Sequence, residues 1–134
     1  MEMRLTRLDI SKMFDVHLLC KMHKVQVFTC SRKEAEASGI TSVCAFADTT
    51  NRYIVLIEDD CESLSSESIK AIMCHELAHI AVPSISEEQA DEFAARFTNP
   101  AAVRTAREET ERVRQRIRYA RAGAGIYTPT STSF

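Results

Sequence analysis

The chain has no tryptophan and only three glycines and three prolines in 134 residues. So few backbone breakers leave little material for tight turns, which favours a helix-rich fold. No run approaches the roughly 18 apolar residues of a membrane-spanning helix. The opening Met1-Glu2-Met3-Arg4 lacks the apolar core of a secretory signal, so the expected location is cytoplasmic. The five cysteines, Cys20, Cys30, Cys44, Cys61 and Cys74, are odd in number and contain no C-x-x-C pair. That argues against a disulfide framework and against a cysteine zinc site, and fits small core thiols in a reducing compartment. The net charge of −2 points to neither a nucleic-acid nor a membrane partner.

What is present is the makeup of one soluble domain, with 45% hydrophobic and 27% charged residues. Residues 1–122 are expected to form it, followed by a disordered Gly/Thr/Ser/Pro-rich tail over 123–134. Apolar steps of three and four predict a helix from Asp9 to Lys24. Val25–Phe28 reads as a short strand and Ser31–Ser38 as a helical turn ended by Gly39. Val43–Ala47 and Tyr53–Ile57, separated by Asp48-Thr49-Thr50-Asn51, read as an antiparallel hairpin closed by Glu58-Asp59-Asp60. A helix then runs from Ser66 to Val82, where Pro83 stops it. The next begins at Ser86 with Gln89 as a capping box, or at Ser84 with Glu87, and shows a packing face of Ala90, Phe93, Ala94 and Phe97. Asn99 and Pro100 open the last helix, to Arg121, with a seam of Val103, Ala106, Thr110, Val113, Ile117 and Ala120. Its other face is rich in arginine. That is the ordinary makeup of a solvated face, and nucleic-acid binding is not expected. Self-association through the 103–120 helix is an alternative use of the seam.

The chemistry lies in His75-Glu76-Leu77-Ala78-His79. On a helix, residues i and i+4 share a face, so both imidazoles can reach one metal ion. Glu76 follows the first His and can serve as general base. A catalytic zinc usually takes a third protein ligand. Glu87, in the first turn after the corner, is the best candidate; Glu88 is its rival but points about 100° away round the helix. Asp91, one turn after Glu87, can accept a hydrogen bond from the outer nitrogen of a ligand His, with His75 the expected one. The plain reading of Glu87 and Asp91 is an acidic first turn favoured by the helix dipole. For Cys74 it is a core thiol, and for His17 and His23 ordinary helix residues.

His75-Glu76-Leu77-Ala78-His79-Ile80, followed by Glu87-Glu88-Gln89-Ala90-Asp91-Glu92-Phe93-Ala94-Ala95 and then Pro100, resembles the ImmA/IrrE family of metallopeptidases. The resemblance spans about residues 40–100. It implies an α+β fold: a small zincin-like domain, helix-rich, with a short antiparallel sheet and an active-site helix followed by a ligand-bearing helix. It also implies zinc ligands at His75, His79 and Glu87, a catalytic Glu76, and hydrolysis of a specific intracellular protein. The implied substrate class is a helix-turn-helix repressor of a phage or mobile element. The chain departs from the pattern in the short gap between His79 and Glu87, and in Phe97-Thr98-Asn99 where the family has Leu-Leu-Met. Candidate oxyanion donors are Tyr53, Tyr119, Tyr127, His17, His23 and Arg96, and one strand of the hairpin is a candidate substrate edge. The alternative is a binding or sensor module that keeps this fold and hydrolyses little or nothing.

Overall fold

A computed structural model describes residues 3–124. In chain order the elements are β1 (Thr6–Arg7), α1 (Phe14–Met22), β2 (Gln26–Cys30), α2 (Arg32–Ala37), β3 (Ala45–Asp48), β4 (Tyr53–Ile57), α3 (Glu58–Cys61), α4 (Ser66–Ala81), α5 (Glu87–Phe97) and α6 (Pro100–Ala124).

Polar caps start the helices where the sequence places them. Ser31 and Glu34 form a reciprocal capping box on α2, and Ser65 accepts the Ser68 amide at the start of α4. Ser86 Oγ accepts from Gln89 N at 3.1 Å while Ser86 N donates to Gln89 Oε1 at 3.2 Å, so α5 starts from Ser86 and not from Ser84. Asn99 Oδ1 takes the Ala102 amide at 2.8 Å and Pro100 follows as the first helical residue. The first helix is shorter than the Asp9–Lys24 span that periodicity suggests. Asp9 Oδ1 accepts the Ser11 amide in a turn, and Lys24 takes a positive φ of 55° that ends the helix. At the other end of the chain, α6 runs to Ala124; residues 125–134 of the expected tail lie outside the described residues.

The sheet order is β1-β2-β4-β3. The β3–β4 hairpin is antiparallel as expected, but β2 pairs parallel to β4, so the sheet is mixed and not purely antiparallel. The parallel pair needs a crossover, and α2 and β3 lie within it. β1 is a two-residue antiparallel edge on β2, and both its residues are exposed. Glu58-Asp59-Asp60 does not simply close β4 but forms the turn of helix α3. Its buried Asp60 accepts from Arg32 Nε at 3.2 Å and from the Cys44 amide at 2.8 Å, tying α2, the hairpin and α3 together.

β4 is apolar on both faces, as a central strand must be. Ile54 and Leu56 join the main core, whereas Val55 and Ile57 face a smaller cluster with Cys30, Ala35, Phe28 and Tyr53. α4 packs on the sheet and is flanked by α1, α5 and α6. Ala71, Ile72, Met73, Cys74, Leu77, Ala78 and Ile80 are all buried, so the helix is apolar nearly all round. His75 and Glu76 therefore sit in the interior rather than on a wet face. The seam Val103, Ala106, Thr110 and Val113 of α6 is buried within the domain, and α6 packs on α4 and α5. All five thiols are free, with only Cys61 partly accessible.

Candidate metal centre

α4 carries His75 and His79 one turn apart, and the corner after Ala81 turns α5 back beside them. Val82 N still bonds to Ala78 O at 2.9 Å, and Ile85 N bonds to Val82 O at 2.9 Å, which closes the corner. Ser86 then starts α5 so that Glu87 is its first residue and Asp91 lies one turn on.

The result is a convergence of three side chains. His79 Nε2 lies 3.2 Å from His75 Nε2. Glu87 spans both rings, with Oε2 at 2.8 Å from His75 Nε2 and Oε1 at 3.1 Å from His79 Nε2. Ligand atoms of His75, His79 and Glu87 all fall within 4.8 Å of one another. Glu88 is exposed and outside this group. The ring of His75 is fully buried, while Glu87 is half exposed, so the centre opens to solvent on the α5 side.

On the far side of the His75 ring, Nδ1 meets Asp91 Oδ1 at 2.8 Å. A carboxylate can only accept, so Asp91 at Nδ1 and Glu87 at Nε2 compete for the ring proton; the less exposed Asp91 favours Nδ1, which is the form that leaves Nε2 free for a cation. Two imidazole nitrogens and a carboxylate converge on one point, a donor set that suits a cation. The spacing also fits: zinc–nitrogen bonds of 2.0–2.1 Å at tetrahedral angles put ligand atoms about 3.3 Å apart. The group can therefore hold a metal ion.

Electrostatics set the neighbouring carboxylates apart. Burial pushes the Glu76 carboxyl up to about 7, and the Glu87 charge adds to this while His75 opposes it. Its Oε1 is buried with no hydrogen-bond partner among the described residues. For His75, burial disfavours the proton, but the Asp91 hydrogen bond and the charges of Glu76, Asp91 and Glu87 outweigh it and raise the pKa. Burial would raise Asp91 too, yet His75 and Arg107 hold it below its usual value.

Arg107 is the residue that sequence reasoning missed. It reaches from α6 to Asp91 Oδ2, with Nε at 2.7 Å and Nη2 on the same oxygen. In sequence it is one arginine among many on a helix read as solvated, and no spacing singles it out.

The oxyanion candidates scatter. Tyr53 packs edge-on against Phe28 in the smaller cluster, away from the main core that holds α4. His17 lines a cavity with Arg7 and Lys21 beside α1. Tyr119 lies exposed on α6 near Ser63, and Arg96 lines a hollow with Val82, Ile85 and Phe93 at the corner. His23 follows α1 as its C-cap. Tyr127 lies outside the described residues. No described helix is long and apolar enough to cross a membrane. No protein-family model, curated protein or solved structure matches the chain.

Proposed function

We propose that this chain is a zinc-dependent endopeptidase with a zincin-like domain, of the kind the ImmA/IrrE resemblance implies, acting on a specific protein such as a helix-turn-helix repressor. The observation that carries this reading is the meeting of His75 Nε2, His79 Nε2 and the Glu87 carboxylate, with Glu76 buried next to them.

Zinc held there supplies an acidified water and a polarised carbonyl. The chain's own residues do the rest. Asp91 accepts at His75 Nδ1 and so favours the tautomer in which Nε2 would ligate. Glu76, with its pKa near 7, is matched to take a proton from the attacking water and return it to the leaving amine near neutral pH. β3 is an edge strand beside α4, so its open side offers backbone groups to an extended substrate. A non-hydrolytic module would gain nothing from Glu76. A buried carboxylate oxygen without a partner costs roughly 1–3 kcal/mol or more, and at Glu76 it lies beside the three convergent side chains, where a reaction step gives it a use.

The test is incubation of the zinc-loaded wild type and Glu76→Gln with repressors encoded beside the gene. The expected result is a discrete cleavage by the wild type and none by the variant. Equal cleavage by both removes Glu76 from the mechanism, and binding without any cleavage favours the sensor module.

A further inference from the structure

We infer that Arg107 is a positioning residue for the metal centre, acting from α6 through Asp91 on His75. This inference rests on the reading of His75, His79 and Glu87 as ligands, and goes beyond it by assigning α6 a part in the site.

Asp91 has two oxygens and two tasks. Oδ1 lies 2.8 Å from His75 Nδ1, and Oδ2 receives both Nε and Nη2 of Arg107. A guanidinium is rigid and planar, so two N–H groups on one oxygen fix where that oxygen sits and thereby where the other one points. Asp91 needs this, because its side chain is one-fifth exposed and water competes for it. The backbone under Arg107 is itself fixed, since Val103, Ala106 and Thr110 are buried in the same helix.

An ordinary surface ion pair is the rival explanation, and such pairs contribute at most about 1 kcal/mol of stability. Arg32–Asp60 and Arg121–Glu36 also join separate elements, but neither carboxylate touches a candidate ligand. Lys70–Glu67 and Arg114–Glu111 are local neighbours three residues apart on one helix. Arg107–Asp91 instead joins two helices and ends on an imidazole with no exposure at all. It is the first link of a chain that runs α6, α5, α4 and ends on the ring of a candidate ligand, at the nitrogen opposite the ligating one. Without Arg107, the Asp91 carboxylate turns toward water, the His75 ring loses the partner that selects its tautomer, and the proton visits Nε2. A ring protonated at Nε2 cannot ligate there.

The role is read first on metal-free protein, by nitrogen-resolved NMR of the imidazoles in alkaline buffer, where the rings are neutral. The wild type should show His75 mainly protonated on Nδ1, because Asp91 is the less exposed of its two carboxylate partners. Arg107→Ala should show a mixture of tautomers, and Arg107→Lys should recover most of the Nδ1 form. Zinc affinity by chelator competition follows: outer-shell changes weaken binding 10–100-fold, so Arg107→Ala should lose about tenfold and Asp91→Ala at least as much. The double variant should bind no more weakly than Asp91→Ala alone, because the proposed effect of Arg107 on the ligand runs through Asp91. If Arg107→Ala fails to fold, Arg107→Gln keeps the stem and removes the charge. An unchanged tautomer in the folded variant overturns the proposal, as does a double variant showing the product of both losses. If no form binds zinc while the tautomer still shifts, the ligand reading fails and the positioning role of Arg107 stands.

Discussion

Replacing Glu76 with Gln removes one negative charge from the middle of α4 and keeps its shape. Burial raises the Glu76 carboxyl from the ordinary 4.5 to about 7, so the folded metal-free protein resists its ionisation. At about 1.4 kcal/mol for each factor of ten, that difference amounts to about 3 kcal/mol. The sign follows from the folded value lying above the unfolded one. The stability is fully present below pH 4.5 and is lost as the pH rises through about 7. Gln does not titrate and suffers no such loss. Urea unfolding of chelator-stripped wild type and Glu76→Gln, at a pH below 4.5 and at mildly alkaline pH, measures this directly. The two should differ little in acid, and Gln should be more stable by about 2–3 kcal/mol in alkali. Asp91 titrates in both proteins and largely cancels in the difference, whereas the Glu76 charge also raises His75 and offsets a part of the loss. A stability gap that does not change with pH would refute the claim that Glu76 is a strained, buried carboxyl. The same substitution should abolish hydrolysis, so stability and activity move in opposite directions at one position.

Glu87→Ala should reduce zinc binding severely, whereas Glu88→Ala should leave it unchanged, as read by metal content after dialysis; equal effects would undo the facing argument for Glu87. Arg32→Ala leaves Asp60 charged in the interior beside the Cys44 amide, and should cost about 3–5 kcal/mol in urea unfolding. A loss under 1 kcal/mol would show that the tie between α2, the hairpin and α3 is dispensable. Burial raises the thiols of Cys20 and Cys30 from 9.0 to about 11, so at pH 8 their thiolate fraction falls about a hundredfold. Alkylation of these two, followed by mass spectrometry, should be slow in the native chain and fast in urea. Equal rates would contradict their burial.

The site was legible in the sequence because its parts are local. The spacing from His75 to His79 is one helical turn, and so is the spacing from Glu87 to Asp91. The Pro83 corner and the Ser86–Gln89 box then dictate how the two turns meet. What escaped depends on contacts between segments far apart. β2 pairs with β4 across α2 and β3, and nothing in Val25–Phe28 announces a parallel partner. β1 is two residues long and carries no alternation to read. Periodicity continues from Asp9, yet the Asp9–Ser11 turn delays α1. Its place in the motif points to Glu76 as the base, but its burial, which sets its pKa, depends on α4 being enclosed by α1, α5, α6 and the sheet. Arg107 was hidden for the same reason: it lies sixteen residues from Asp91, and only the packing of α6 against α5 brings them together.

One zinc ion held by two imidazoles and one carboxylate underlies the proposed chemistry. X-ray absorption at the zinc edge, on protein of measured metal content, tests that most directly. One zinc per chain with two nitrogen ligands from imidazole at about 2.0–2.1 Å, and loss of the metal in His79→Ala, is the predicted result. A chain that retains no zinc, or a zinc bound through sulfur, would contradict it.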